Sequence, residues 1–119
     1  MKYNVRITDM GGLVPEFLKE KMVIIFNDNA PPELAEISVT HEVGELVGEV
    51  LVGDKWIFCD NEYEVTAVGE EANYTLRTLG HCSLVFDGAD TAQLPGTIHL
   101  KGEKDPDIVI GKNIVIKSF

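Results

Sequence analysis

Cysteine is scarce in this sequence, and its scarcity excludes two kinds of site. The only two cysteines, Cys59 and Cys82, lie far apart and form no CxxC pair. A disulfide framework and a cysteine zinc site are therefore excluded. We expect two buried free thiols, because unpaired cysteine is among the most buried residue types. Asp60 and Glu62 beside Cys59 would raise its thiol pKa, which argues against a nucleophilic role.

Basic residues are also few: ten Lys and Arg stand against twenty Asp and Glu, for a net charge of -10. Nucleic acid is excluded as a main partner, because phosphate contacts need clustered Lys and Arg. Twelve of the acids lie within residues 28–71, where Lys55 is the single base. This acidic segment, residues 28–71, favours either the steering of a basic partner or simple solubility.

Long apolar runs are missing as well. Runs such as residues 22–26 are far shorter than the roughly 20 residues that span a bilayer. After Met1 and Lys2 the chain alternates apolar and polar residues, with no apolar region of a signal peptide. We therefore predict a cytoplasmic chain with no direct membrane insertion. Its 119 residues, 45% of them hydrophobic, fit one domain over residues 1–119.

Period-two alternation of apolar and polar residues is the main pattern in the chain and is typical of β-strands. It is clearest in residues 3–7, 63–67 and 114–117. Further short β-rich runs, separated by turn residues, occupy residues 22–26, 37–41, 46–51, 56–59, 82–86, 97–101 and 108–110.

Two segments have helical spacing instead. Residues 13–21 carry Pro15 in the first turn, and residues 70–79 are followed by Gly80 as a C-terminal cap. We predict a mainly β fold, a single-domain antiparallel β-barrel or sandwich of short strands with two short helices.

The histidines are the best candidates for chemistry, because the sequence contains neither GxxxxGK[ST] nor GxGxxG for nucleotide binding. Of His41, His81 and His99, we favour His41, which ends a β-prone run and precedes Gly44. Glycine allows backbone N–H groups to approach a bound anion, and Thr40 adds a hydroxyl donor. Alternation puts His41 on the face of Val39, which predicts an apolar surface patch around the ring.

Four blocks of the sequence resemble the glucitol/sorbitol-specific IIA component of the bacterial phosphoenolpyruvate-dependent sugar phosphotransferase system. They are VTHEVGELVGEV around His41, VTAVG, LRTLGHCSLVFDG and PGTIHL. The resemblance implies a phosphocarrier that takes a phosphoryl group on a histidine from phosphorylated HPr. It then passes the group to a cysteine of the IIB component, which phosphorylates the sugar that the membrane component IIC imports. His41 corresponds to the phosphorylated histidine by its place in the HxxGEL block.

One departure from the family pattern concerns Val43. Relatives can carry a second histidine two places after the first, and this chain has valine there. His81 and His99 match family blocks, and we favour His99 as a neighbour of His41 because the turn at Pro95 and Gly96 brings it close to a strand end.

Phosphoryl chemistry on histidine sets requirements that the local sequence can meet. The imidazole accepts through one neutral nitrogen while a fixed acceptor holds the proton of the other. The carboxylate of Glu42 or Glu45, or a backbone carbonyl, is the candidate acceptor. Main-chain donors near Gly44 are candidates for the phosphoryl oxygens. Transfer between two protein histidines needs no cofactor and no metal.

Two other classes of function stay open. His41 and Glu45 resemble half of the H-x-H-x3-E ligand set of a cupin-like metal-binding β-barrel, and residues 95–99 resemble its second block. Both matches are incomplete. A non-catalytic regulatory or protein-binding β module is the other alternative. Metal analysis tests the first, and incubation with phosphoenolpyruvate, enzyme I and HPr tests the second.

Overall fold

Eight strands close into a barrel in the computed structural model, which describes residues 1–119. The mainly β prediction is confirmed, and the closed barrel decides between barrel and sandwich. In chain order the elements are β1 (Tyr3–Met10), α1 (Val14–Leu18), β2 (Met22–Asn27), α2 (Pro32–Ala35), β3 (Ser38–His41), β4 (Lys55–Phe58), β5 (Asn61–Val68), α3 (Ala72–Leu79), β6 (Cys82–Val85), β7 (Thr97–Lys101) and β8 (Asn113–Lys117).

The strand order around the barrel is β1-β3-β2-β6-β7-β5-β4-β8. Six pairings are antiparallel, as predicted, but β2 with β3 and β6 with β7 are parallel. The antiparallel expectation is therefore wrong for these two pairs. Residues 28–37 and 86–96 are long enough to return the chain to the same end of the barrel, which a parallel pair requires.

A third helix, α2, occupies a stretch that the sequence suggested only as a turn. Its first residue is Pro32, after Pro31 at the cap position. Proline is accommodated at the start of a helix because the N–H that it lacks has no partner there. The single turn of helix lies on the connection between the parallel strands β2 and β3. The prediction of two helices therefore misses one.

Inward side chains from all eight strands fill the barrel. Alternation along each strand sends every second residue inside, so the interior is almost entirely aliphatic and aromatic. Burying each large apolar side chain stabilises the fold by roughly 1.5–3 kcal/mol. Fully buried members include Ile7, Ile25, Trp56, Phe58, Leu84, Ile98, Ile114 and Ile116.

Residues 42–54, here called the closing segment, cover one end of the barrel without forming a strand. The predicted strand at residues 46–51 is wrong, as is the one at residues 108–110. Leu46 and Val50 still point into the core. Asn73 of α3 takes the place of a neighbouring strand: its Oδ1 accepts the Val50 N–H at 2.7 Å, and its Nδ2 donates to the Val50 carbonyl at 3.1 Å.

Helix α3 ends as its sequence predicts. Gly80 adopts the left-handed conformation, with φ +62°. The Gly80 N–H donates to the Leu76 carbonyl at 3.0 Å, and the His81 N–H donates to the Thr75 carbonyl at 3.1 Å. This pair of bonds satisfies carbonyls that the helix end would otherwise leave free. It also fixes the path of the chain from α3 into β6.

Candidate functional site

His41 points into the barrel from the last position of β3. It pairs across strands with Ile7, a core residue, and Val39 two places earlier also belongs to the core. The edge of the Tyr3 ring meets the imidazole with ring centroids 6.0 Å apart. His41 is 0% exposed. The expectation of a surface patch around this ring is wrong, because β3 directs the face of Val39 inward.

Both ring nitrogens of His41 face backbone carbonyls. Nδ1 lies 2.7 Å from the carbonyl oxygen of Glu42, and Nε2 lies 2.9 Å from that of Gly80. A neutral imidazole carries one N–H and can donate to only one of them. We assign the hydrogen to Nδ1, because Nδ1 makes the shorter of the two contacts and makes it to the next residue in the chain. Nε2 then carries a lone pair that faces the Gly80 carbonyl oxygen, and no hydrogen bond joins these two acceptors.

Gly80 covers the imidazole, and only glycine fits there. A β-carbon on Gly80 would lie 2.7 Å from His41 Cε1 and 2.0 Å from Asn27 Oδ1. The positive φ of Gly80 would also strain any other residue. The end of α3 is therefore packed directly on the histidine ring, and its carbonyl occupies the position in front of Nε2.

Asn27 is a neighbour of His41 that sequence reasoning missed. It ends β2 and pairs with His41 on the parallel neighbour β3, so both side chains face the same barrel end. Asn27 is 7% exposed, and its Oδ1 is buried without a hydrogen-bond partner. A buried carboxamide with unused bonding capacity beside an imidazole is available to a third group. Only the strand register, which the sequence does not give, could have identified it.

The other residues predicted around His41 lie elsewhere. Thr40 faces the opposite side of β3, where its hydroxyl donates to the Asp9 carbonyl at 3.4 Å. Gly44 packs on β1, where an added β-carbon would be 2.4 Å from Val5 Cγ1. Glu45 is exposed beside the first residues of the chain. None of these three residues makes a hydrogen bond to the imidazole.

Glu42 contributes to the site through its backbone only. Its carbonyl binds His41 Nδ1, but its carboxylate turns toward Arg6, accepting the backbone N–H at 3.1 Å and lying 3.5 Å from the guanidinium. Of the acceptors considered for the second ring nitrogen, the backbone carbonyl is thus the one that the structure brings to it.

His81 follows Gly80 directly and lies on the outer face of the barrel. Its ring packs on Phe26 with centroids 4.8 Å apart, and its Nδ1–H donates to the Ile25 carbonyl at 3.0 Å. The side chain is half-buried. Through the chain it is attached to the carbonyl that covers His41, so a movement of one moves the other.

His99 is remote from His41. It pairs with Val85 of β6, which pairs on its other side with Met22 at the start of β2, whereas His41 pairs with the end of β2. The six residues of β2 separate the two positions by roughly 16 Å along the strand. His99 also faces outward, since Ile98 and its other neighbour belong to the core. The preference for His99 over His81 as a neighbour of His41 is wrong.

The surface around the closing segment is apolar with an acidic border. Four valines and leucines of this segment are more than half exposed, as is Tyr74 of α3, and the exposed Glu42, Glu45 and Glu49 lie beside or between those of the segment in the sequence. Exposed apolar patches bordered by polar residues are typical of protein-binding surfaces. We call this surface the entry face; its exposed apolar members are Val43, Val47, Leu51, Val52 and Tyr74.

The cupin-like alternative finds no support in these positions. His41 turns both nitrogens to carbonyls inside the barrel, while Glu45 lies on the surface. No three His, Cys, Asp or Glu side chains come together in a way that could hold a metal ion.

Cys59 and Cys82 are free and buried, and burial raises both thiol pKa values.

Comparison with known proteins gives consistent matches along nearly the whole chain. The sequence model of the family described as PTS system glucitol/sorbitol-specific IIA component matches residues 2–115. PTS system glucitol/sorbitol-specific EIIA components of Shigella flexneri and of Escherichia coli (strain K12) are each 38% identical over 116 residues. Each match covers 98% of this chain and 94% of the relative.

A solved structure has the same fold. The PTS system IIA component from Enterococcus faecalis V583 superposes with a TM-score of 0.82 at 26% sequence identity. The superposition covers 96% of this chain and 98% of that chain. No helix in the present structure is long and apolar enough to cross a membrane.

Proposed function

Because the chain belongs to the family of glucitol/sorbitol-specific IIA components of the phosphotransferase system, we propose that it is a phosphocarrier acting through His41. His41 accepts a phosphoryl group from the phosphohistidine of HPr and passes it to a cysteine of the IIB component. The IIB component then phosphorylates the glucitol (also called sorbitol) that the IIC membrane component imports. Family membership implies phosphotransferase activity in general; the residue and the partners are the proposal.

The observation that supports His41 is the fixed orientation of its ring. The Glu42 carbonyl at 2.7 Å holds the Nδ1 proton, which leaves Nε2 as the nucleophile. In the first transfer the Nε2–P bond forms as the bond from phosphorus to the donor nitrogen of HPr breaks. In the second, the bond to phosphorus passes from Nε2 to the cysteine sulfur of IIB, and the Nε2 lone pair is restored.

Transfer requires the site to open, because the imidazole is 0% exposed and the Gly80 carbonyl stands in front of Nε2. Gly80 is the residue best suited to move, since glycine crosses φ/ψ regions that are closed to other residues. Turning its peptide away would expose Nε2 beside the Asn27 carboxamide. The Oδ1 of that carboxamide now faces Gly80 and has no partner, so the carboxamide must rotate before its amide nitrogen can donate to a phosphoryl oxygen.

The entry face supports the choice of partners. Its apolar centre offers a surface for docking, and the acidic border would attract a basic face of HPr. We place this exchange in the cytoplasm, in agreement with two free cysteines in a chain that has no disulfide. The phosphohistidine itself would form below this face, at the barrel end that the closing segment covers.

Phosphorylation by purified enzyme I, HPr and labelled phosphoenolpyruvate tests the proposal. We expect one acid-labile phosphoryl group per chain in the wild type and none in His41→Gln. The Gln side chain keeps an amide for one of the two carbonyls, which limits the loss of stability. His41→Ala is the harsher variant, because it removes a fully buried ring that contributes to the core.

His81→Gln and His99→Gln are the matched controls, since each removes one imidazole from the same barrel. Both should still take up the phosphoryl group. Full labelling of a folded His41→Gln variant would refute the assignment to His41. Loss of the label in a folded His81→Gln or His99→Gln variant, while His41→Gln keeps it, would refute the assignment as well. A wild-type chain that takes no label would favour the protein-binding module instead.

A further inference from the structure

A cleft on the outer face of the barrel lies away from His41 and has no part in the proposed transfer. It has a volume of about 330 Å³, which is at the small end of ligand pockets. Strands β6 and β7 form its floor, with Ser83, Thr97 and His99, and the connection between these strands overhangs it. We call it the outer cleft.

Asp87 and His99 form a hydrogen-bonded pair of side chains in the outer cleft. The His99 Nδ1–H donates to Asp87 Oδ1 at 2.7 Å, and the same oxygen accepts the Ala89 N–H at 3.0 Å. Burial opposes ionisation of Asp87, but the hydrogen bonds from Ala89 and His99 outweigh it and lower the pKa of the carboxyl group. No protein group bonds to His99 Nε2, although His99 is only 8% exposed.

A carboxylate that fixes one ring nitrogen leaves the other with a set direction. His99 Nε2 therefore offers the cleft a fixed acceptor, or a donor when the ring is protonated. The hydroxyls of Ser83 and Thr97 lie on the same floor. These groups bind hydroxyl groups well, because each can exchange hydrogen bonds with an O–H.

Charge and apolar surface narrow the class of ligand. No Lys or Arg lines the cleft, and Asp87 is its one carboxylate, in a chain of net charge -10. An anion is disfavoured there. The walls include Met22, Val85 and Leu94, which suit C–H groups. We propose that the outer cleft binds a small, neutral, polyhydroxylated molecule of the size of a hexitol.

Binding in the outer cleft does not depend on the proposed phosphoryl transfer. His99 faces outward near the start of β2, whereas His41 faces inward at the end of β2. A ligand held at His99 leaves the Nε2 of His41 untouched. The two proposals can therefore fail separately.

Titration of the intact chain with D-glucitol, followed by amide chemical shifts and calorimetry, tests the proposal. We expect saturable shifts confined to β6, β7 and their connection. Glucitol 6-phosphate should bind at least tenfold more weakly, because the cleft has a carboxylate, Asp87, and no Lys or Arg to balance the added negative charge. Absence of binding at glucitol concentrations up to about 10 mM, which corresponds to a binding free energy weaker than about 3 kcal/mol, would overturn the proposal. So would tighter binding of the phosphate or of hexane-1,6-diamine, a cation of similar length.

Two substitutions on the cleft floor supply the sharper test. Thr97→Val keeps the shape and removes a hydroxyl, and should weaken binding at least tenfold. Ser83→Leu should abolish binding, because the larger side chain would fill the cleft. Ser83 itself is half-exposed, so the substitution does not overpack the core. Thr78→Val, on the exposed side of α3, is the control and should bind as the wild type does. Unchanged affinity in both floor variants would refute the site, and labelling of His41 should continue in all three.

Discussion

Replacement of Gly80 by alanine tests the closed site most directly, because two separate costs meet at this residue. The left-handed backbone costs a non-glycine residue roughly 1–2 kcal/mol. The new methyl group would also lie 2.0 Å from Asn27 Oδ1 and 2.7 Å from His41 Cε1, so these buried groups must shift. Overpacking of this kind costs about 1–3 kcal/mol. We expect a total loss of about 2–5 kcal/mol.

Gly48→Ala is the matched control. Gly48 has a similar backbone, φ +75°, but an added β-carbon there would meet nothing within 4 Å. It should lose only the backbone term of roughly 1–2 kcal/mol. Both variants change the unfolded chain in the same way, so the difference between them reports the contact with Asn27 and His41.

Thermal and urea denaturation measure this difference. At about 4 °C per kcal/mol, the melting temperature should fall roughly 8–20 °C in Gly80→Ala and 4–8 °C in the control. Adding Asn27→Ala to Gly80→Ala should restore part of the loss, since it removes the closest contact. Phosphoryl uptake should be at least tenfold slower in Gly80→Ala than in the control. Equal stability of the two glycine variants would refute the packing of Gly80 on the imidazole.

Two further predictions concern charge. Burial opposes ionisation of Asp54, but Lys2 at 2.6 Å and the N–H groups of Leu51 and Phe119 outweigh it and lower its pKa. Because the pKa of Asp54 is lower in the folded state, its ionised carboxylate stabilises the fold at pH values above the unfolded pKa of about 3.9. This stabilisation is lost as pH falls through the folded-state pKa. Asp54→Asn should thus cost about 3 kcal/mol at pH 7. In urea denaturation the difference in stability between wild type and variant should shrink as pH falls below the unfolded value of about 3.9, and a difference that stays constant would contradict this. In stopped-flow measurements the double variant Glu42→Gln with Glu45→Gln should associate with HPr more slowly and with a weaker salt dependence. The control double variant Glu103→Gln with Asp105→Asn, outside the acidic segment, should change the association rate less. Equal effects of the two double variants would show that the entry face does not steer HPr.

The fold class followed from the sequence because period-two alternation reports which residues are buried. The eight strands, the helix after Gly69 and the Gly80 cap all have local signals. Local signals failed at the closing segment, where Leu46 and Val50 alternate like strand residues. Their backbone is satisfied by Asn73, a side chain from a distant helix, and no local pattern announces such a bond.

The choice of His41 as the candidate came from its neighbours in the sequence, but the surroundings of its side chain could not be predicted from them. His41 was singled out by the block that contains it, since family blocks record chemistry in residue order. That it lies inside the barrel follows from its pairing with Ile7 and Asn27, which depends on strand register. Glu45 and Thr40, close in sequence, point elsewhere, whereas Gly80, far along the chain, touches the ring.

The sequence by itself determined the alternation, the turns, the charge and the candidate histidine, because each is a property of adjacent residues. The tertiary structure alone decided which strands run parallel, which side of the barrel wall each histidine faces and which carbonyls meet its nitrogens. These depend on how distant segments pack against one another. The strand order of the closed barrel places Asn27 beside His41 and His99 far from it.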